Sequence, residues 1–472
     1  MTFHTRGLRW WATLILTLSV WIAGPTPAAG LTPAAGPTPA AGPTPAEGLQ
    51  VKTTFVRLGP GVLGVLYEPV TPGPKSAIAV FAMHSEEDYL QFSACTELSK
   101  RGYRVLCANN STHKGGIDAD LSIDSILLDA KLAVAWLRHY PGVRKVVLLG
   151  HSGGGTLMAA YQSIAENGLE ACQGPEKIIK CPDTLAGLPP ADGLMLLDSN
   201  YGLGAMMLFS LDPAVTDEMS GLKRDPALDL FNPKNGFNSH GSQYSAEFIR
   251  RFQTAVGKRN NRLVQYAQDR LAKLAAGQGR FSDDEPLDIP GANYLGFNNK
   301  LFTQDTQLLA HTHKAWPLLR ADGSTVTEII PSVRVPENVT SNTTSLQRGA
   351  LRTTVRNFLR TLAFRVSDDF GFDADSIHGI DWSSSYALPA GSVRTVTVPF
   401  LTLGMTGHWE YLAAEIIYEN ARSPDKTIAF VEGATHVFTT CTPCEKTPGQ
   451  YGDTLKTTYD YADRWLSAPG RF

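Results

Sequence analysis

The sequence predicts an α/β fold: a mostly parallel central sheet with helices on both faces, and a large, mainly helical cap inserted after the sixth strand. Three observations predict it. Continuous apolar runs such as "SAIAVFAM" (Ser76 to Met83) and "KVVLLG" (Lys145 to Gly150) read as strands buried on both faces. They alternate with helical periodicity, and repeated βα units imply parallel pairing. The alternation then stops over 199–395, before "VTVPFLTLG" resumes it.

In chain order, "TTFVRL" and "VLGVLYEP" read as an opening antiparallel hairpin, and "SAIAVFAM" as the next strand. A helix is expected from roughly Asp88 to Arg101, with Ser85 and Asp88 at capping-box-like spacing and Gly102 at its end. The acids Glu86, Glu87 and Asp88 then read as first-turn residues that complement the helix dipole. "YRVLCAN" is a strand, "IDSILLDAKLAVAWLRHY" a helix, "KVVLLG" a strand followed by a turn and a helix, and "DGLMLLD" a further strand. Within the insertion, residues 245–276 read as one long helix or a helix pair, and "GALRTTVRNFLRTLAF" as another helix. "KTIAFVEG" is the last strand and "TLKTTYDYADRWLS" a closing helix.

Arg6 and Arg9 precede the apolar run "WWATLILTLSVWIAG", which has the length of a signal-peptide core and is short for a membrane span. A signal peptide over 1–23 is expected, with an uncleaved anchor as the alternative. Four imperfect hexads ("GPTPAA", "GLTPAA", "GPTPAA", "GPTPAE") then form an extended, proline-stiffened linker over 24–48. The core follows as 49–198 and 396–472, with the cap at 199–395 between them. No second run of spanning length follows, so no stable membrane insertion is expected once the signal is removed.

The 42 basic and 45 acidic residues nearly balance, without a long basic run, so nucleic acid is not supported as a partner. Export makes the six cysteines readable as disulfides. Cys172 and Cys181 bracket a short loop, and Cys441 and Cys444 form "CTPC", a structural bridge in this context. Cys95 and Cys107 are either buried thiols or a third bridge. Asn110, Asn338 and Asn342 head glycosylation sequons.

The chemistry concentrates in "VVLLGHSGGGTLMAAYQ" (Val146 to Gln162). Gly150, Ser152 and Gly154 match G-x-S-x-G between a strand and a helix. Such a serine sits on strained backbone with other chain segments close by, and glycine removes the Cβ atoms that would clash. The helix start behind it offers N–H groups to a developing oxyanion. A phosphate loop is disfavoured, because no Gly-Lys-Ser/Thr ending follows.

A nucleophilic serine needs a base, and the base needs an orienting acid. His436, in "FVEGATHVF" just after the last strand, is the candidate base. Glu410, in the loop after "VPFLTLG", is the preferred acid and Asp198 the alternative; Glu415 lies deeper on a helix. The oxyanion donors are expected to be the backbone N–H groups of Gly153 and of Ser85 or Glu86 in "FAMHSEEDYL", where His84 reads as a packing residue.

With "GHSGGG", "MHSEED", "RGYRVLCANN" and "EGATHVF" in place, the chain resembles the α/β-hydrolase superfamily over roughly Val51 to Asp198 and Thr395 to Phe472. The resemblance implies a secreted serine esterase or related hydrolase with a lid inserted after the sixth strand. It departs from the family in two places: His84-Ser85 stands where His-Gly is usual, and Glu410 where aspartate is commoner and somewhat earlier. The implied reaction cleaves a carboxylic ester, of a small molecule or a polymer, through an acyl-enzyme on Ser152. Apolar stretches of the insertion suggest a bulky or hydrophobic ester or lactone. A peptidase or amidase, or a carbon–carbon hydrolase acting on a diketone, would use the same triad. No cofactor is expected, and no ligand cluster of zinc-type spacing is visible.

Overall fold

The computed structural model describes residues 49–112, 121–292, 300–336 and 350–472. The expected signal peptide and linker, and the sequons at Asn338 and Asn342, lie outside them. The strands in chain order are β1 (Val51–Gly59), β2 (Val62–Pro69), β3 (Ile78–Met83), β4 (Arg104–Asn109), β5 (Lys145–Ser152), β6 (Gly193–Ser199) and β7 (Pro286–Pro290). They continue as β8 (His311–Leu319), β9 (Thr325–Pro331), β10 (Ala350–Thr354), β11 (Val366–Phe372), β12 (Ile377–Ile380), β13 (Phe400–Met405) and β14 (Lys426–Val431). Ten of these form one sheet in the order β1-β2-β4-β3-β5-β6-β13-β14-β8-β9. Pairing is parallel from β4 through β3, β5, β6, β13 and β14 to β8, and antiparallel at both ends.

The apolar runs read as strands because they must fill two cores at once. Along β3, Phe81 and Met83 join the core built with α2 (Ile123–His139) and α3 (Gly153–Asn167). The intervening Val80 and Ala82 face α1 (Ser93–Lys100) and the C-terminal helix Thr454–Leu466. This period-two division produces helices on both faces of a mostly parallel sheet, as expected. A parallel sheet so wrapped gathers the carboxyl ends of its strands at one edge, where βα loops can converge.

Three local expectations needed correction. The first helix begins at Ser93, not near Asp88. Glu86, Glu87 and Asp88 therefore belong to the preceding turn, where Asp88 Oδ1 accepts the Leu90 amide at 3.0 Å and the Asn109 side-chain amide at 2.8 Å. "GALRTTVRNFLRTLAF" is not one helix: β10 pairs with β7, and only short helical turns follow over Val355–Leu362. Asn110 is buried, and its side chain donates to the carbonyls of His84 and Ser85 at 2.9 and 2.8 Å. The asparagine of that sequon thus has a structural use in the fold.

The inserted stretch is less helical than expected. Its longest element is a single helix, Ala246–Ala275, capped by Ser245 Oγ accepting the Phe248 amide at 3.1 Å. It also carries β7 to β12, and β8 and β9 extend the main sheet. Glu415 explains the docking of β8. Its buried carboxylate accepts the His313 and Lys314 amides at 2.8 and 2.9 Å and the Trp316 indole N–H at 2.7 Å, fastening the strand to helix Tyr411–Asn420. Satisfying three donors offsets the cost of burying that acid.

Candidate active site

Strand β5 ends at Ser152 and α3 begins at Gly153, so the chain turns sharply between them. Ser152 sits at φ +53°, ψ −128°, a region a side-chain-bearing residue enters only at a cost of about 1–3 kcal/mol. Close packing enforces the turn. A Cβ on Gly150 would lie 2.6 Å from the Gly154 carbonyl oxygen, and one on Gly155 would lie 2.0 Å from Ser199 Oγ.

Only four non-glycine residues have positive φ among the described residues: Ser152, Asp198 (+46°), Leu309 (+50°) and Phe438 (+71°). Three of the four surround one point. Ser152 and Asp198 end neighbouring strands β5 and β6, joined where the Asn200 amide donates to the Ser152 carbonyl at 3.1 Å. Phe438 follows His436 by two residues in the loop after β14.

His436 Nδ1 lies 2.7 Å from Asp198 Oδ2 in a hydrogen bond. Asp198 Oδ1 accepts the Met405 amide at 3.0 Å, and His408 Nδ1 lies 3.3 Å from Oδ2. Burial pushes the Asp198 carboxyl up, but the bonds from His408 and His436 outweigh it and hold the group at about 2. Glu410 Oε2 is also near His436 Nδ1, at 3.3 Å, yet neither of its oxygens makes a hydrogen bond among the described residues. Burial, against the opposing pull of His436, drives the Glu410 carboxyl up to about 8. The sequence ranked Glu410 before Asp198; of the two carboxylates it is Asp198 that is hydrogen-bonded to His436, at 2.7 Å, while Glu410 stands 3.3 Å away. Position after the later strand was the guide, whereas the strained end of β6 aims Asp198 more directly.

His151 was not singled out in the sequence, although it is the first x of G-x-S-x-G. Its ring is buried among Tyr89, Phe92 and Phe438. Its Nε2 donates to the His436 carbonyl at 2.7 Å, and its Nδ1 meets the Tyr89 hydroxyl. Burial and the neighbouring His436 press its basicity well below the usual imidazole range. A neutral His151 thus ties the backbone of the His436 loop to the β5–α3 turn, with the two rings 4.4 Å apart. Among the described residues no hydrogen bond joins Ser152 Oγ to His436.

The turn after β3 brings Ser85 and His84 to the same place. Ser85 is buried, and a Cβ on Gly153 would lie 2.1 Å from its hydroxyl oxygen. The Glu86 amide, one of the expected oxyanion donors, instead donates to His84 Nδ1 at 3.0 Å. Gly153 N–H is aimed at His84 Nε2, 3.2 Å away.

Three disulfides are present, Cys95–Cys107, Cys172–Cys181 and Cys441–Cys444, with Cα separations of 6.1, 5.6 and 5.3 Å. The first resolves the pair the sequence left open, joining α1 to β4. The third lies in the loop that carries His436. Asp198, His408, Glu410 and His436 also present four donor atoms within 4.8 Å of one another, a set of the kind zinc accepts. Sequence spacing did not reveal it, because the donors come from the end of β6 and from two separate loops. A cavity of about 100 Å³ reaches the acid side of the site and is lined by Thr303, Arg334, Val335, Pro336, Gly407, His408 and Trp409. Trp409 is otherwise buried against Tyr201 and Phe302.

No family model and no curated protein matches the chain. Among solved structures, it is similar to the siderophore hydrolase EstB from Aspergillus fumigatus, at 11% identity and a TM-score of 0.43, over 89% of this chain and 98% of that one. It is also similar to Est1E from Butyrivibrio proteoclasticus (12%, TM-score 0.36, 88% and 97%). A dienelactone hydrolase from Anabaena variabilis gives 10%, a TM-score of 0.35, and 88% and 96%. These likenesses are distant. On its own strand order and its strained β5–α3 turn, the chain has the α/β-hydrolase fold.

Proposed function

We propose that the protein is an exported serine hydrolase that cleaves a carboxylic ester, with Ser152 as nucleophile, His436 as base and Asp198 as orienting acid. The observation that carries this reading is the concentration of strain. Ser152 and Asp198, at the ends of adjacent strands, both hold left-handed backbone, and His436 is bonded to the second of them. Strain of this kind persists only where packing enforces it, and it clusters at functional sites.

In this mechanism His436 takes the Ser152 proton at Nε2 as Oγ attacks the ester carbonyl. Asp198 stabilises the imidazolium through Nδ1–H. The Ser152–His436 hydrogen bond is one that closes as substrate arrives, as such contacts often do. The tetrahedral oxyanion is held by Gly153 N–H with Ser85 N–H as its partner. His436 then protonates the departing alcohol. Water, deprotonated by His436, attacks the acyl-enzyme and releases the acid and free Ser152. The apolar run at 10–24, the disulfides and the proline-rich spacer support export.

The test is labelling by a fluorophosphonate probe, followed by turnover of p-nitrophenyl esters of graded acyl length, with Ser152→Ala as the control. Labelling and turnover are both expected to vanish in the variant. Full esterase activity in Ser152→Ala would end the reading.

A further inference from the structure

Glu410 and Glu415 are both buried, and the fold treats them in opposite ways. The Glu415 carboxylate accepts from the His313 and Lys314 amides and from the Trp316 indole. Glu410 is 1% exposed, and neither of its oxygens makes a hydrogen bond among the described residues. A buried polar group left so costs about 1–3 kcal/mol, and more when charged. Glu410 instead faces a histidine and a second acid. Its Oε2 stands 3.3 Å from His436 Nδ1, which meets Asp198 Oδ2 at 2.7 Å, and His408 Nδ1 lies 3.3 Å from that same Asp198 oxygen.

Zinc binds imidazole nitrogen at about 2.0–2.1 Å and carboxylate oxygen at about 2.0–2.2 Å, so donors at tetrahedral corners stand about 3.3–3.6 Å apart. Two of the three contacts already have that spacing, and each of the four residues offers a donor atom within 4.8 Å of the others. Charge balances as well. Two carboxylates neutralise a dication and two neutral imidazoles complete the shell, which matters because the Asp198 and Glu410 side chains are sealed from water. The Met405 amide on Asp198 Oδ1, at 3.0 Å, holds that carboxylate with Oδ2 toward the cluster, as a supporting bond does for a metal ligand. The His408 and His436 side chains are 13% and 20% exposed, so an ion can enter from the imidazole side.

We propose that Asp198 Oδ2, His408 Nδ1, Glu410 Oε2 and His436 Nδ1 bind a zinc ion, and that the bound ion switches the hydrolase off. Metal at Nδ1 takes the place of the hydrogen bond from His436 to Asp198. The imidazole proton then resides on Nε2, the nitrogen that must be bare to accept the Ser152 proton. Glu410 releases its own proton to solvent as it ligates. The switch rests on the hydrolase reading, whereas the binding of the ion does not.

The test titrates zinc alone, by calorimetry, into the full protein after chelator treatment. Cobalt(II) goes into a second sample, where a four-coordinate site absorbs strongly in the visible. One ion per chain is expected. Glu410→Gln keeps the shape of the side chain, and it and His408→Ala should each weaken zinc by roughly a hundredfold or more, beyond the loss of an outer-shell partner. His313→Ala removes an exposed histidine outside the cluster and should bind as the wild type does. Circular dichroism before zinc is added verifies the fold, and Glu410→Gln carries the test by itself should His408→Ala fail to fold.

With p-nitrophenyl esters, saturating zinc should cut wild-type turnover by about a thousandfold or more, as removal of the base does, and chelator should restore it. In Glu410→Gln the zinc needed for half-inhibition should rise by the same factor as the dissociation constant. Absence of zinc binding by the wild type, or unchanged affinity in Glu410→Gln, overturns the site. Binding without loss of turnover overturns the switch. Ser152→Ala should bind zinc as tightly as the wild type, because the serine is no ligand. Failure of the hydrolase reading would appear separately, as esterase activity surviving in that variant.

Discussion

His436 Nδ1 donates to Asp198 Oδ2 at 2.7 Å, from a loop after β14 to the last turn of β6, across 238 positions of sequence. The Met405 amide on Asp198 Oδ1 fixes the carboxylate from the strand between them. Glu410 stands 3.3 Å from the same imidazole nitrogen without hydrogen-bond geometry. One histidine thus faces two carboxyls, held apart by environment: Asp198 at about 2 and Glu410 at about 8. Near neutral pH the first is charged and the second holds its proton.

Asp198→Asn should therefore lose about 10³–10⁴ in kcat, as when an orienting acid becomes an amide, and Glu410→Gln no more than about tenfold. The residual activity of Asp198→Asn should depend on Glu410, because removing the Asp198 charge removes one of the causes that keep Glu410 protonated. The double variant is expected to fall below Asp198→Asn by more than Glu410→Gln falls below the wild type. Ester turnover of the four proteins checks this, and a larger loss in Glu410→Gln than in Asp198→Asn would restore the order read from sequence.

Stability should depend on pH in a direction set by Glu410. Its carboxyl titrates at about 8 when folded and near 4.3 when unfolded. Between those values the native state keeps a proton the unfolded chain has released, so raising the pH favours unfolding. Glu410→Gln should remove this slope. Its stability relative to the wild type, read from the melting temperature, should climb from pH 5 to pH 8 and then level, by a free energy on the order of a few kcal/mol. Asp198 acts at the other end. Held at about 2, it contributes stability that is present above its unfolded value near 3.9 and lost as pH falls through 2. Thermal unfolding of both proteins across that range checks the signs.

Much of the architecture was legible because parallel strands buried on both faces cannot hide their apolar runs, and because Gly150-His151-Ser152-Gly153-Gly154 has few uses between a strand and a helix. The acid was harder to read. Asp198 near the end of β6 and Glu410 after β13 are both candidates by position, and the left-handed backbone at Asp198 and its hydrogen bond to His436 are what favour it in the proposed mechanism. The partners of His151, and the contact of His84 with Gly153, were invisible for a related reason. Each is chosen by a ring contact between segments 62 to 285 positions apart, and local periodicity carries no trace of that. Residues 350–354 misled because their helical spacing of apolar groups coexists with β-branched residues that pair with β7.

Gly150 makes the elbow testable without touching a reacting group. A Cβ there meets main-chain atoms of Gly154 and Gly155 at 2.6 and 2.7 Å, and backbone at a strained turn cannot yield as a side chain can. Gly150→Ala should cost on the order of 1–3 kcal/mol or more and should abolish probe labelling of Ser152. Gly73→Ala is the control: its φ is −112° and a Cβ there has open space. Chemical denaturation of the two variants should separate them clearly, and equal stability would mean that the turn is looser than this packing implies.

The Cys95–Cys107 bridge ties the first turn of α1 to the middle of β4, twelve positions apart, beneath the loop that carries Tyr89. Both cysteines are fully buried, and Cys95 Sγ lies 3.5 Å from the Tyr89 carbonyl. Opening a loop of this length returns conformational entropy to the unfolded chain, about 2–4 kcal/mol. Tyr89 is also the partner of His151, which holds the His436 loop. Cys95→Ala/Cys107→Ala should therefore lower the unfolding midpoint by that amount and should also reduce kcat, through looser positioning of Tyr89. Cys172→Ala/Cys181→Ala, remote from the elbow, should lower stability with little change in kcat. Equal kcat in both double variants, with the stability losses intact, would show that the Tyr89–His151 contact does not depend on the bridge.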